Sequence, residues 1–137
     1  MYPEELVAPM RVDLTTVGFT ELKTPAQVDE ALKQEGTTLV VVNSVCGCAA
    51  GMARPAVKIA LQNTDKHPKN LTTVFAGVDT EATMQARRYM LPFPPSSPSI
   101  ALFKDGKLVH FIERHQIEGR NAEMIAENLS AAFEEFC

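Results

Sequence analysis

The feature that most constrains this chain is a run of β-branched residues that leads directly into Cys46-Gly47-Cys48. The apolar run before these residues predicts a strand over residues 38–45 that is buried on both faces, as central parallel strands are. Apolar residues then recur at helical spacing over residues 49–63, which predicts a helix. The sequence therefore places two thiols between the end of a central strand and the start of a helix, and this arrangement favours redox chemistry.

The rest of the chain alternates between predicted helices and strands. Helical spacing predicts helices over residues 3–17, 25–36, 80–90 and from Glu118 or Asn121 to 136, and apolar runs predict strands over 19–22, 71–78, 100–103 and 108–112. Capping rules place Thr24 before the second helix, Gly36 at its end and Thr80 at the start of the fourth helix. Pro55 should kink or break the helix after the cysteines.

Turn residues define the second half of the chain. Four prolines in residues 91–99 predict a stiff loop, and Asp105-Gly106 predicts a hairpin between the last two strands. Helix-crossed strands followed by a hairpin predict an α/β fold of three layers, with a central mixed β-sheet and helices on both faces. We expect one domain over residues 1–137, with residues 1–18 as an added N-terminal helical extension.

Composition narrows the function classes. The chain has 137 residues and a formal net charge of -4, without a block of Lys and Arg, so nucleic acid is not an expected partner. It contains neither a long uninterrupted apolar stretch nor a basic region before an apolar run, so we expect no membrane span and no secretory signal. Three cysteines, two of them almost adjacent, do not form a disulfide framework, which favours a cytoplasmic protein with a catalytic or metal-binding pair.

The predicted junction gives the two thiols different roles. A helix N-terminus presents unpaired N–H groups and a partial positive charge, so at least one cysteine pKa should be lowered. Cys46 lies farther from the helix and nearer solvent, so we expect it to be the nucleophile and Cys48 the resolving thiol. Cysteines two residues apart in an extended strand are near the upper limit for a disulfide, and Gly47 should permit the necessary bend. The small, strained ring should be easily reduced.

Two other interpretations of the pair remain open. Instead of redox-active thiols, the cysteines are inert packing residues in the first interpretation. In the second they are ligands for a soft metal such as Cu(I) or Zn(II). Zinc requires further ligands, and His67, His110 and His115 are scattered without a spacing that completes a site. We therefore assign no metal ligands and keep a soft-metal-binding carrier that uses the two cysteines as the alternative from a different class.

The order strand, Cys-Gly-Cys, helix, then Ser97-Pro98 before a strand and a glycine-bearing hairpin, resembles the thioredoxin fold over about residues 20–136. By that resemblance Ser97-Pro98 is a cis-proline bond that lies against the active cysteines. Two departures are clear: no Trp precedes the cysteines, and Val40 stands where thioredoxins commonly carry a buried acid. These departures favour exchange of mixed disulfides over general reduction.

A more specific resemblance is carried by residues 41–51, by 53–56, by 94–98 and by 115–120, which are similar to the bacilliredoxin family. The resemblance implies a cytoplasmic thiol-disulfide oxidoreductase that removes bacillithiol from mixed disulfides on client proteins. It implies attack by Cys46 and resolution by Cys48 or by a second small thiol. Bacillithiol is then a co-substrate, no cofactor is tightly bound, and the partners are bacillithiolated clients and a recycling reductase or free thiol. A general disulfide isomerase or reductase is the alternative in the same class.

Several further residues have two interpretations each. Asn43 and Ser44 either hydrogen-bond the thiolate or shape the turn, or they merely end the strand. Arg54 either meets a carboxylate of bacillithiol or is a surface arginine or part of an ion pair. His115 either donates near the site or is a surface histidine, and Cys137 is either an exposed terminal thiol or one that pairs between molecules.

Overall fold

A computed structural model describes residues 2–137 of the chain. A five-stranded sheet is surrounded by helices, in the order α1 (Glu4–Thr15), β1 (Thr20–Glu21), α2 (Pro25–Leu32), β2 (Thr37–Asn43), a π-helical turn (Ala49–Ala53), α3 (Arg54–Asn63), β3 (Asn70–Phe75), α4 (Thr80–Arg88), β4 (Ser99–Lys104), β5 (Lys107–Ile112), α5 (Arg114–Ile117) and α6 (Ala122–Phe136). No helix within the described residues is both long and apolar enough to cross a membrane.

The sheet is mixed, with strand order β1-β3-β2-β4-β5. The central strand β2 runs parallel to β3 and antiparallel to β4, so that Val41 lies opposite Thr73 on one side and Ile100 on the other. All seven residues of β2 are buried. This confirms the predicted central strand, and the β1 edge and the hairpin of β4 and β5 confirm the predicted mixed sheet.

The core has two parts because successive side chains of β2 point to opposite faces of the sheet. Leu39 and Val41 pack in the cluster formed with α3 and α6. Val40 and Val42 pack in the cluster formed with α2 and α4. The resulting helix, sheet and helix layers confirm the three-layer prediction, and α1 contributes buried Val7 and Leu14.

A single buried arginine ties α1 to the sheet. The Arg11 guanidinium forms ion pairs with Glu4, Glu21 and Asp79, and it lies over the ring of Phe75 at 5.3 Å from the ring centroid. These partners raise the pKa of Arg11 above its ordinary value, chiefly through the hydrogen bond to Asp79 and against the opposing effect of burial. Because these carboxylates come from three segments, the arginine holds the N-terminal helix against the sheet.

Some predicted boundaries are wrong by a few residues. The second helix ends at Leu32, and Gly36 lies in the following turn at φ +88° rather than capping the helix. Thr80 is the first helical residue of α4 and Asp79 occupies the cap position, where its carboxylate pairs with Arg11. Thr24 caps α2 as predicted, by accepting a hydrogen bond from the Gln27 N–H.

Candidate active site

The two cysteines lie between the carboxyl end of β2 and a helical segment, as the sequence predicts. Both Cys46 and Cys48 are reduced and half-buried. The Cys46 carbonyl accepts hydrogen bonds from the N–H groups of Ala49 at 3.1 Å and Ala50 at 3.3 Å, which begin the first turn. The chain therefore turns sharply after Cys46 and leaves its thiol at the carboxyl edge of the sheet, where α/β folds bind ligands.

The surroundings of the two thiols shift their pKa values in opposite directions. Burial by itself raises the pKa of Cys46, but hydrogen bonds from Ser44 and the Ala49 and Cys48 N–H groups, with the charge of Arg114, lower it overall. Burial raises the pKa of Cys48, and the neighbouring Cys46 and the carboxylate of Glu118 raise it further. Cys46 therefore carries more thiolate near neutral pH, and thiolate is the nucleophilic form.

Ser44 makes direct contact with the thiol of Cys46. Its Oγ donates to Cys46 Sγ across 3.3 Å and accepts from the Cys46 N–H across 3.4 Å. Asn43 makes no such contact: its Oδ1 accepts from the Ser44 N–H at 2.9 Å, and its Nδ2 donates to the Met10 carbonyl at 3.2 Å. Ser44 thus touches the sulfur, whereas Asn43 shapes the turn that presents Ser44.

Arg54 lies under this turn rather than on the surface. Its side chain is only 6% exposed, its Nη1 donates to Asn43 Oδ1 and the Ser44 carbonyl, and its Nε donates to Asp13 Oδ2. Of the interpretations of Arg54, the structure agrees with the ion pair and not with the possible substrate-binding role, because Asp13 and the loop already occupy the guanidinium. Asp13 also pairs with Lys58, so α1 and α3 together hold the cysteine loop.

The helix after the cysteines breaks where Pro55 predicts. Residues Ala49–Ala53 form a π-helical turn in which the N–H of Arg54 donates to the carbonyl of Ala49, five residues earlier. Pro55 has no N–H to continue the regular ladder, so the α-helical pattern starts only at Arg54. Arg54 follows this wider turn, and its side chain lies beneath the loop.

Gly47 is not required by the reduced conformation. Its φ is outside the left-handed region, and a Cβ placed on it would have no atom within 4 Å. The predicted need for glycine therefore does not apply to the dithiol. Any need for it must come from closing the disulfide.

Arg114 is a site residue that the sequence analysis missed. Its Nη1 donates to the Ser97 carbonyl at 3.1 Å, its Nε donates to Glu118 at 2.9 Å, and its charge lowers the pKa of Cys46. It lies in α5, whose four residues are too few to show helical periodicity. The Ser97-Pro98 bond that precedes β4 is cis, as the thioredoxin resemblance predicts.

An open groove of about 300 Å³ runs beside Cys46 and contains Ser97, Arg87, Arg114 and Tyr2 among its walls. A second hollow, of about 370 Å³, lies at the β1 edge of the sheet and has no thiol in its walls. The groove beside Cys46 is therefore the space that a substrate of this thiol would occupy.

The remaining candidates lie apart from the thiols. His115 has a side chain that is 74% exposed, with Nδ1 at 4.0 Å from the Glu113 carboxylate. Burial raises the pKa of Cys137, and the nearby Thr37 side chain lowers it in part; Thr37 begins β2, so Cys137 lies at the end of that strand opposite the active cysteines. Within residues 2–137, no three His, Cys, Asp or Glu side chains are grouped closely enough to hold a metal ion.

Comparison with known proteins agrees with this geometry. Solved thioredoxins share the fold: that of Fasciola hepatica superimposes with a TM-score of 0.59 at 17% identity over 87% of this chain and 100% of its own. That of Malassezia sympodialis gives 0.58 at 14% identity, covering 87% of this chain and 90% of its own.

Sequence comparison gives the family. The family model described as disulphide isomerase matches residues 2–137. A bacilliredoxin of Cytophaga hutchinsonii is 60% identical over 98% of this chain and 99% of the relative. A bacilliredoxin of Halalkalibacterium halodurans is 55% identical over 99% and 94%. The reduced thiol pair, the thioredoxin fold and these relatives show a thiol-disulfide oxidoreductase, and the chain belongs to the disulphide isomerase family together with these bacilliredoxins.

Proposed function

We propose that the protein removes bacillithiol from mixed disulfides on client proteins. The Cys46 thiolate attacks the sulfur of the bacillithiol half, the client's S–S bond breaks, and the client leaves as a thiolate. Cys46 is then joined to bacillithiol by a new disulfide. The observation that carries this proposal is the asymmetry of the pair, in which Ser44 and Arg114 favour the thiolate of Cys46 while Cys48 stays protonated.

The second step uses Cys48. Part of the rise in the pKa of Cys48 comes from Cys46, and Cys46 has no charge once it is in a disulfide. The pKa of Cys48 should therefore fall when bacillithiol is bound, and its thiolate can attack the Cys46 sulfur. Bacillithiol then leaves as a thiolate and Cys46–Cys48 becomes a disulfide, which a dithiol reductase or two small thiols must reduce. Alternatively, a second small thiol attacks the adduct and frees Cys46 directly.

The bacilliredoxin names of the relatives support the proposed substrate. No tightly bound cofactor is needed, because both electrons come from thiols. We place this chemistry in the cytoplasm, where thiols are kept reduced and small-thiol adducts form under oxidation.

The test is the release of bacillithiol from a client that carries it on one cysteine, measured by mass spectrometry of the intact client. Wild type should release it, Cys46→Ala should release none, and Cys48→Ala should free the client once but accumulate its own adduct. Cys137→Ala serves as the control, because Cys137 lies at the opposite end of the sheet, and it should behave as wild type. Activity in Cys46→Ala combined with loss in Cys48→Ala would reverse the assigned roles.

Disulfide isomerisation is the second candidate, and the description of the matching family favours it. A refolding assay on a client with scrambled disulfides, run at the same protein concentration, compares the two activities. Faster isomerisation than bacillithiol release would make isomerase the principal activity. Copper or zinc bound in stoichiometric amounts to protein purified under reducing conditions would instead favour a metal carrier.

A further inference from the structure

The groove beside Cys46 has positive charge in its wall and no carboxylate. Arg87 and Arg114 both line it, whereas no Asp or Glu does among the residues that the structure describes there. The chain as a whole is acidic, with a net charge of -4. Both charged side chains in this wall are positive, although Glu118 pairs with Arg114 from outside the wall, so the wall is a local exception that favours an anion next to the reactive sulfur.

Arg87 has hydrogen-bonding capacity that the folded chain leaves unused. Its Nη2 donates to the Ser96 carbonyl across a long 3.4 Å, and its buried Nε has no partner among residues 2–137. No carboxylate in that part of the chain forms an ion pair with it. The buried Nε is out of reach of a ligand, but the charge of the half-buried guanidinium has no counterion in the described chain, and a carboxylate that reaches the Nη atoms from the groove would supply one.

Arg114 provides the second cation in the wall of the groove. Its Nε and Nη1 are used by Glu118 and by the Ser97 carbonyl, whereas its Nη2 has no partner within residues 2–137. The side chain is 44% exposed, so a ligand in the groove can reach it. The two arginines therefore present donors to the same small space, next to Cys46.

We propose that Arg87 and Arg114 bind carboxylates on the small-thiol half of the mixed disulfide, which places that half's sulfur against Cys46. This rests on the proposed function and narrows its substrate class to small thiols that carry two nearby carboxylates. The groove, at about 300 Å³, has the size of a small-molecule site and is too small for a folded client. Cys46 therefore attacks the small-thiol sulfur, and the client sulfur departs as a thiolate.

The first experiment uses one client cysteine carrying mercaptosuccinate, mercaptopropionate or mercaptoethanol, which have two, one and no carboxylates. For wild type, kcat/KM should rise about tenfold with each added carboxylate, if each carboxylate contributes about 1.4 kcal/mol. Arg87→Gln should lose about tenfold on mercaptosuccinate and nothing on mercaptoethanol. Arg88→Gln is the matched control, because Arg88 is next in α4, contacts Gln85 and lies outside the groove.

The second experiment does not depend on turnover. It measures, by peptide mass spectrometry, the rates at which iodoacetate and iodoacetamide alkylate Cys46. Only iodoacetate is charged, so a nearby cation changes the ratio of the two rates. A change in the cysteine pKa affects both rates alike and leaves the ratio unchanged. The ratio of iodoacetate to iodoacetamide rates should fall severalfold in Arg87→Gln and stay nearer wild type in Arg87→Lys, which keeps the charge. Thermal unfolding of each variant checks that the fold is intact.

The outcomes separate the two proposals. Equal wild-type rates on all three adducts, together with an alkylation ratio that is the same in wild type and Arg87→Gln, would overturn this inference and leave the proposed function intact. A protein that releases neither these three thiols nor bacillithiol from the client, yet whose alkylation ratio falls in Arg87→Gln, would overturn the proposed function and not the anion site.

Discussion

Replacing Ser44 by Ala tests what lowers the pKa of the nucleophile. The substitution removes the hydrogen bond from Oγ to Cys46 Sγ, at 3.3 Å, together with the longer one that Oγ accepts from the Cys46 N–H, at 3.4 Å. A hydrogen bond to a charged group contributes about 1.5–3 kcal/mol, and we take about 1 kcal/mol for this long bond at a half-buried site. Because this bond favours the thiolate, the pKa of Cys46 should rise in the variant, and about 1 kcal/mol corresponds to a thiolate fraction about fivefold smaller below that pKa.

The assay is the rate of iodoacetamide alkylation of Cys46 as a function of pH. If the pKa values of both proteins lie above the assay pH, the variant should react about fivefold more slowly there, and the rates should converge once both thiols are ionised. Ser130→Ala is the control, because the buried Ser130 hydroxyl has no partner in the described part of the chain. A Ser44→Ala midpoint within about 0.2 of wild type would refute the role of this hydrogen bond.

Three further predictions concern stability, each measured by denaturant unfolding of the reduced protein. Gly47→Ala should change the free energy of unfolding by less than about 1 kcal/mol, because a Cβ there meets nothing within 4 Å; a larger loss would mean that the dithiol needs glycine. Asp13→Asn should cost about 1–2 kcal/mol near pH 7, because it leaves the buried Arg54 without its carboxylate. Burial opposes the effect, but Lys58 and Arg54 lower the pKa of Asp13 overall, so its contribution is present above the ordinary carboxyl pKa and is lost as the pH falls through the lowered value. The difference in the free energy of unfolding between Asp13→Asn and wild type should therefore become smaller in acid. A difference that does not depend on pH would contradict the ion pair. Phe133→Ala should cost about 3–5 kcal/mol because the ring is fully buried, whereas Met124→Ala, at an exposed position of the same helix, should cost less than about 0.5 kcal/mol; equal losses would contradict the assigned core.

Local patterns in the sequence were sufficient to predict most of the fold. The apolar run of β2 identifies a central strand because only a strand covered on both faces tolerates it, and all of β2 is buried. Asp105 and Gly106 both have positive φ, as a two-residue hairpin requires, and the hairpin forms where predicted. Pro55 predicts the helix break because its missing N–H depends on the residue type alone and not on distant contacts.

The parts that were missed depend on contacts between distant residues. Arg54 is buried because Asp13, 41 positions earlier, reaches it from α1, and no spacing rule contains that pairing. Arg87 and Arg114 come from separate elements and meet only when the fold closes around the groove. The sequence does not distinguish an arginine on the open surface from one in a groove. The positive charge next to Cys46 could therefore be identified only in the structure.

The most direct test of the central claim is the mass of Cys48→Ala protein after reaction with a bacillithiolated client, followed by peptide mapping. Without the resolving thiol the reaction should stop after the first exchange. The protein should then gain the mass of one bacillithiol on Cys46, with an equal amount of free client. A disulfide that joins Cys46 to the client, with bacillithiol released into solution, would show attack on the client's sulfur and would contradict the account.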